Sequence, residues 1–277
     1  MRYSNFRAAL LSTLTLVPFA ACRSPAPVAL PAPVPAAPAA VAPSVRTNYA
    51  SGDELVSAMH ARYNATWYTT LTFKQKTSTL LDTAWRVQTW YEAMRIPGRL
   101  RIVFDSVAAG SGVLYARDSQ YIVTNFKIQR RDAGINPLLL LGFDVYGNPP
   151  EHTSTLLKKE GFDFTRVHAD TFQGRPMIVV GAARGDVKRK QFWVDAEHLY
   201  FVRILERTRR DSTRMQDTRF VNYRKEGSAW LATRVEIHTE GKLTFHEDYS
   251  DIRVNIALDE ALFDPAKWKT AKNWLAP

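Results

Sequence analysis

Apolar and polar residues alternate most regularly between residues 188 and 254. Five segments follow one another there, at 188–194, 199–209, 218–224, 230–239 and 242–253. Asp195-Ala196-Glu197-His198, Glu226-Gly227-Ser228 and Glu240-Gly241 punctuate the run with turn residues. In the fourth segment Trp230, Ala232, Arg234, Glu236 and His238 share one face. Leu231, Thr233, Val235, Ile237 and Thr239 share the other. A period of two predicts strands with one buried face, here an antiparallel meander.

The preceding stretch extends the pattern. Leu55, Val56, Met59 and Tyr63 recur at helical spacing, with Ser51 or Asp53 as cap. Strands are predicted over 67–76, 83–94, 99–105, 112–117 and 120–125, with turns at Ile96-Pro97-Gly98 and Asp118-Ser119. Asn136-Pro137 opens an apolar helix through Phe143, and a second short helix over 149–159 stops at Gly161. Strands over 161–167 and 176–181 lead into the meander, and 259–268 forms a capping turn. The total is about ten or eleven strands, a mainly β, antiparallel fold with a few short helices. So wide a sheet curls. The helices around 55–63 and 137–143 are its only covers, and being short they leave room for a cavity.

Residues 1–21 read as a secretory signal: Arg2 and Arg7, an apolar run, then small residues before Cys22. The run is shorter than the ~20 residues a membrane span needs. Cys22 is the chain's one cysteine, and small residues before it resemble a bacterial lipobox. Lipidation would explain its position and its lack of a disulfide partner. Residues 22–46 then form a linker with Pro25, Pro27, Pro31, Pro33, Pro35, Pro38 and Pro43, extended for about 70 Å. Residues 47–277 form a single domain, since no seam or repeat divides them. In lipoproteins Asp after the Cys favours inner-membrane retention. Arg23 stands there, so the expected location is the outer membrane facing the periplasm, with inner-membrane anchoring as the alternative.

The net charge of +10 concentrates at 188–190 and 203–214. It fits a solvated basic face, or steering toward anionic lipid. Export and the lack of a recognised motif argue against nucleic acid. No histidine pair has metal-binding spacing; His238 and His246 approach each other across a hairpin, beside Arg234, Glu236, Glu247 and Asp248, as a polar sheet face. Gly110-Ser111-Gly112 lacks the full nucleophile-elbow pattern. No catalytic residue, metal or cofactor is expected.

Candidate chemistry therefore rests on apolar walls. The cavity-lining pool is Trp85, Trp90, Phe104, Tyr121, Phe192, Trp193, Phe201, Phe220, Trp230 and Phe245. Leu138, Leu139, Leu140, Leu141 and Phe143 are the candidate lid.

Phe192-Trp193-Val194-Asp195-Ala196-Glu197 with Leu199-Tyr200-Phe201-Val202-Arg203, then Tyr249-Ser250-Asp251-Ile252-Arg253-Val254-Asn255, resemble outer-membrane lipoprotein-sorting proteins. Leu258-Asp259-Glu260-Ala261-Leu262-Phe263-Asp264-Pro265 and the strand at 69–76 fit the same family, over 51–268 in all. The resemblance implies a half-open barrel closed by helices, whose cavity takes acyl chains of lipids or lipoproteins. It also implies a membrane-facing loop, for which Met94, Ile96 and Pro97 are the candidates. The expected function is a lipid-anchored periplasmic lipid- or lipoprotein-binding protein in lipoprotein localisation or envelope assembly. The alternative is a protein-interaction or envelope-stress-sensing module with a solid core.

Overall fold

A computed structural model describes residues 45–275. The signal, Cys22 and the linker up to residue 44 lie outside them. One 13-stranded antiparallel sheet dominates. Its first half runs β1 (Thr70–Leu81), β2 (Ala84–Arg95), β3 (Arg99–Phe104), β4 (Gly112–Ala116), β5 (Ser119–Thr124) and β6 (Lys127–Ala133). Its second half runs β7 (Val167–Phe172), β8 (Arg175–Val180), β9 (Gln191–Asp195), β10 (Phe201–Arg207), β11 (Met215–Glu226), β12 (Ala229–Thr239) and β13 (Lys242–Val254). Each half is a meander, and β1 pairs with β13 to join them. β6 and β7 are left as the two edges. The sheet is thus a half-open barrel, as the sequence implies.

The seam is spanned by the chain between β6 and β7, which carries α2 (Pro137–Gly142), a 3-10 turn at Asp144–Tyr146 and α3 (Pro150–Lys159). Asn136 caps α2 as its sequence predicts, its Oδ1 accepting from the Leu138 N–H at 3.0 Å. α1 (Gly52–Tyr63) packs on α3 and on the turn. Close approach there needs Gly52, because a Cβ would stand 2.7 Å from the Phe164 ring. No described helix is long and apolar enough to cross a membrane.

Two differences from the sequence reading stand out. β6 carries Lys127, Arg130 and Arg131 and is almost wholly exposed; an edge strand wet on both faces shows no alternation. Residues 161–166 form turns rather than a strand. Phe162 and Phe164 pack there against Phe192, with centroids 5.4 and 6.2 Å away.

The concave face holds the main core. The convex face of β2–β5 holds a second one, beneath the chain from Ile256 to Trp274. Arg101 pins that cover, stacking 3.9 Å from the Trp268 ring and donating to the Trp268 carbonyl at 2.7 Å. Burial lowers its pKa to about 10.

Candidate functional site

Beneath α2 the concave face forms a partly open cavity of about 200 Å³. Phe73 of β1 stands beside Trp90, Glu92 and Met94 of β2 and Leu100 and Ile102 of β3. Cross-strand register sets this row: Phe73 faces Glu92, and Glu92 faces Ile102. The opposite wall is Phe220 of β11, Val235 and Ile237 of β12, and Glu247 and Tyr249 of β13. Asn136, Leu138, Leu139 and Phe143 form the roof. A Cβ at Gly142 would sit 3.0 Å from the Phe220 ring, so the bare glycine lets the end of α2 settle onto that wall.

Two more spaces share Tyr115 and Asn136 with this cavity. One, of about 320 Å³, runs past Pro97, Leu140, Asp144 and His152. The other, of about 270 Å³, runs past Gln120, Glu206 and Arg209. The first turn of α2 therefore stands where three spaces meet.

Two carboxyls, the Asn136 amide and the Tyr115 and Tyr249 hydroxyls interrupt the apolar lining. Glu92 is 5% exposed. Burial raises its pKa well above the usual range, and the neighbouring Glu247 charge raises it further. Burial pushes Glu247 up to about 7, against hydrogen bonds from Tyr249 and the Gln75 amide; the Tyr249 hydroxyl donates at 2.8 Å. No lysine, arginine or histidine is among the described lining residues. In the adjoining space burial pushes Asp144 up to about 7, opposed by the Gly98 N–H donating at 3.0 Å.

The structure distributes the sequence-predicted residues unevenly. Trp90 and Phe220 line the cavity. Phe104 lies 4.6 Å and Phe245 6.4 Å from Trp90, at its margin. Phe201 and Phe192 are buried in the packed core away from it, with Phe201 5.0 Å from Phe220. Trp193 points to the opposite side, beside Phe172 and Arg203. Tyr121 belongs to the convex core. Trp230 packs on His198, 4.5 Å away. Trp85 is 43% exposed near the end of the β1–β2 hairpin, 5.3 Å from the His246 ring. Of the lid candidates, Leu138, Leu139 and Phe143 reach the cavity, Leu140 reaches the larger adjoining space, and Leu141 is core. In the candidate membrane loop Met94 and Ile96 point inward, at 1% and 9% exposure, and only Pro97 is exposed. Met94 thus completes the cavity wall, and of the three candidates for a membrane-facing loop Pro97 alone reaches the surface.

Parity separates Glu247 from the charged residues the sequence groups with it. Val235 faces Glu247 inside, whereas Arg234 faces Asp248 outside. Outside, Arg234 binds Glu236 at 2.8 Å and Asp248 at 2.6 Å. His238 lies 3.2 Å from Glu236 and His246 3.1 Å from Asp248. These four side chains and Arg234 form a polar outer face. Asp195, Glu197 and His198 also cluster. The Arg175 guanidinium already supplies the cation there, 2.7 Å from Asp195, so the cluster acts as a braced turn.

Sequence reasoning missed Glu92, Glu247 and Gln75 as site residues. The signal was a glutamate inside an alternating aromatic face: Phe245, Glu247, Tyr249 on one strand and Trp90, Glu92, Met94 on another.

No protein-family model matches the chain, and no curated protein sequence does. Among solved structures the chain is similar to a DUF1329 family protein from Desulfovibrio piger, with a TM-score of 0.52 and 16% identity over 77% of this chain and 95% of that one. It is also similar to a putative outer membrane lipoprotein-sorting protein domain from Vibrio parahaemolyticus (TM-score 0.49, 15% identity, 79% and 98% covered). A LolA superfamily protein from Nitrosomonas europaea gives a TM-score of 0.49 at 11% identity, with 76% and 97% covered. The first likeness extends to the fold alone, and the two below 0.5 bear no weight.

Proposed function

We propose that the protein binds acyl chains of lipids or lipoproteins in the cavity beneath α2, without covalent chemistry. The observation that carries this is an apolar cavity roofed by one six-residue helix. Alone, its 200 Å³ falls below the ~300–1,000 Å³ of ordinary ligand sites. α2 is the natural lid: lifting its first turn joins the cavity to both neighbouring spaces. Each methylene transferred from water contributes about 0.8 kcal/mol. The leader at 1–21, lipidation of Cys22 and the linker to residue 46 complete the reading as an envelope lipoprotein, with the outer membrane preferred.

Exposed Leu81, Trp85 and Val87 at the β1–β2 hairpin favour a second reading, a protein-interaction module. Native mass spectrometry of protein purified from its host envelope, with lipid extraction of the same sample, separates the two. A stoichiometric adduct that extracts as an acyl-chain lipid supports the carrier reading. A bare chain that takes up no added lipid defeats it.

A further inference from the structure

The cavity's polar residues form an acceptor-rich patch inside aromatic walls, and nothing in the acyl-chain reading uses them. Among the described residues none donates a hydrogen bond to Glu92. Gln75 is 1% exposed, and its Oε1 is buried without a partner among the described residues. Directly across from Gln75 are Trp90 and Tyr249, which line the cavity, so its amide stands on the same face. Its Nε2 is engaged by Thr77 at 2.8 Å and by Glu247, and the oxygen remains to accept. Buried acceptors left unmatched cost stability. The two carboxyls and the amide oxygen stand together with no basic side chain among the described lining residues, and the orphaned donor there, Trp90 Nε1, is neutral, so a cation would have to come from outside. The surroundings suit a cation: Trp90 and Tyr249 line the same space, and aromatic rings favour ammonium groups.

We infer that the cavity selects apolar chains bearing a primary ammonium group, held by Glu92, Glu247 and the Gln75 oxygen against the faces of Trp90 and Tyr249. The inference rests on the acyl-chain reading and narrows it. Chain burial supplies affinity, and the acceptor patch decides which head enters. A carboxylate head gains no charge attraction there and meets like charge once the two carboxyls ionise. An alcohol would meet acceptors without gaining charge attraction. Binding of the ammonium displaces the protons the two carboxyls hold, so affinity for an amine rises with pH through neutrality. Tyr249 and Tyr115 face the same space, and both stay protonated there because burial raises their pKa. The Arg209 charge acts on Tyr115 from outside the cavity.

Two sources carry this chemistry: an aminolipid, and an acylated peptide with a free amino terminus. The test is calorimetric titration of the full chain with octylamine, octanol and octanoate between pH 6 and 8.5. The inference expects octylamine to bind at least tenfold more tightly than octanol at pH 8, with octanoate weakest. The octylamine advantage should shrink toward pH 6 and vanish in Glu92→Gln and Glu247→Gln. The pH profile is read on the native protein, so it stands even where a variant fails to fold. Equal binding of all three, or preference for octanoate, overturns the inference and leaves the acyl-chain reading intact. Binding of none overturns both. A diacylated cysteinyl peptide and phosphatidylethanolamine, each with free and N-acetylated amine, then locate the source. Preference for the free amine in the peptide or in the lipid assigns it, and indifference in both overturns the inference.

Discussion

Two regions of the same concave face are built differently. Over β8–β10 the cover is α1, α3 and the turn at Asp144–Tyr146, and the interior is filled. Tyr146 shows how: its ring stacks on Trp67 at 3.7 Å and meets Tyr63 edge-on at 5.4 Å, while its hydroxyl accepts from the Phe201 N–H at 3.1 Å. Over β1–β3, β12 and β13 the cover is α2 alone, and a cavity with two carboxyls remains. One sheet thus combines a close-packed core with an unfilled site, and the difference lies in the number and size of side chains that the covering helices deliver.

The sharpest way to break this contrast is to empty the filled region. Tyr146→Ala should cost about 4 kcal/mol in urea unfolding, since large-to-small changes leave a cavity, and it also orphans the Phe201 N–H. A cost near zero would mean that region is not close-packed.

The buried carboxyl between the two regions comes next. Asp144 has a folded pKa of about 7 against 3.8 in the reference state. The native state therefore holds a proton that the unfolded chain has released. Stability falls as pH rises from about 4 to about 7 and is level above. Asp144→Asn should flatten that slope and stabilise the protein at pH 8 by on the order of 3 kcal/mol. Unchanged pH dependence would show that Asp144 titrates normally.

The open region should respond less. Leu139→Ala should cost about 2 kcal/mol, the low end for such a change, because its neighbour is already empty space. It should also tighten binding of apolar chains. The smallest effect belongs to Trp85→Ser at the exposed hairpin, within about 0.5 kcal/mol of wild type and with chain binding unchanged.

Much of this contrast was hidden in the sequence for a definable reason. Asn136-Pro137 placed the capped α2. Period-two alternation placed the meander and the hairpins, because it is a local consequence of one buried face. It also placed Trp90 and Glu92 on one side of β2 and Trp85 on the other. The two tryptophans therefore cannot line one cavity. Tyr121 and Trp193 are likewise large aromatics on the outer side. What alternation does not carry is which stretch of the inner face is filled. That depends on α1, α3 and the turn at 144–146, which reach β8–β10 from distant parts of the chain. Glu247 was obscured by charged neighbours in sequence that point the opposite way.

The central claim is that an apolar chain enters beneath α2, and Trp90 is the tryptophan that lines that space. Fluorescence quenching by a bromine-bearing alkyl chain tests it directly, in wild type, Trp90→Phe and Trp230→Phe. The account predicts saturable quenching that is lost in Trp90→Phe and kept in Trp230→Phe. Quenching that survives in Trp90→Phe, or that never saturates, would contradict it.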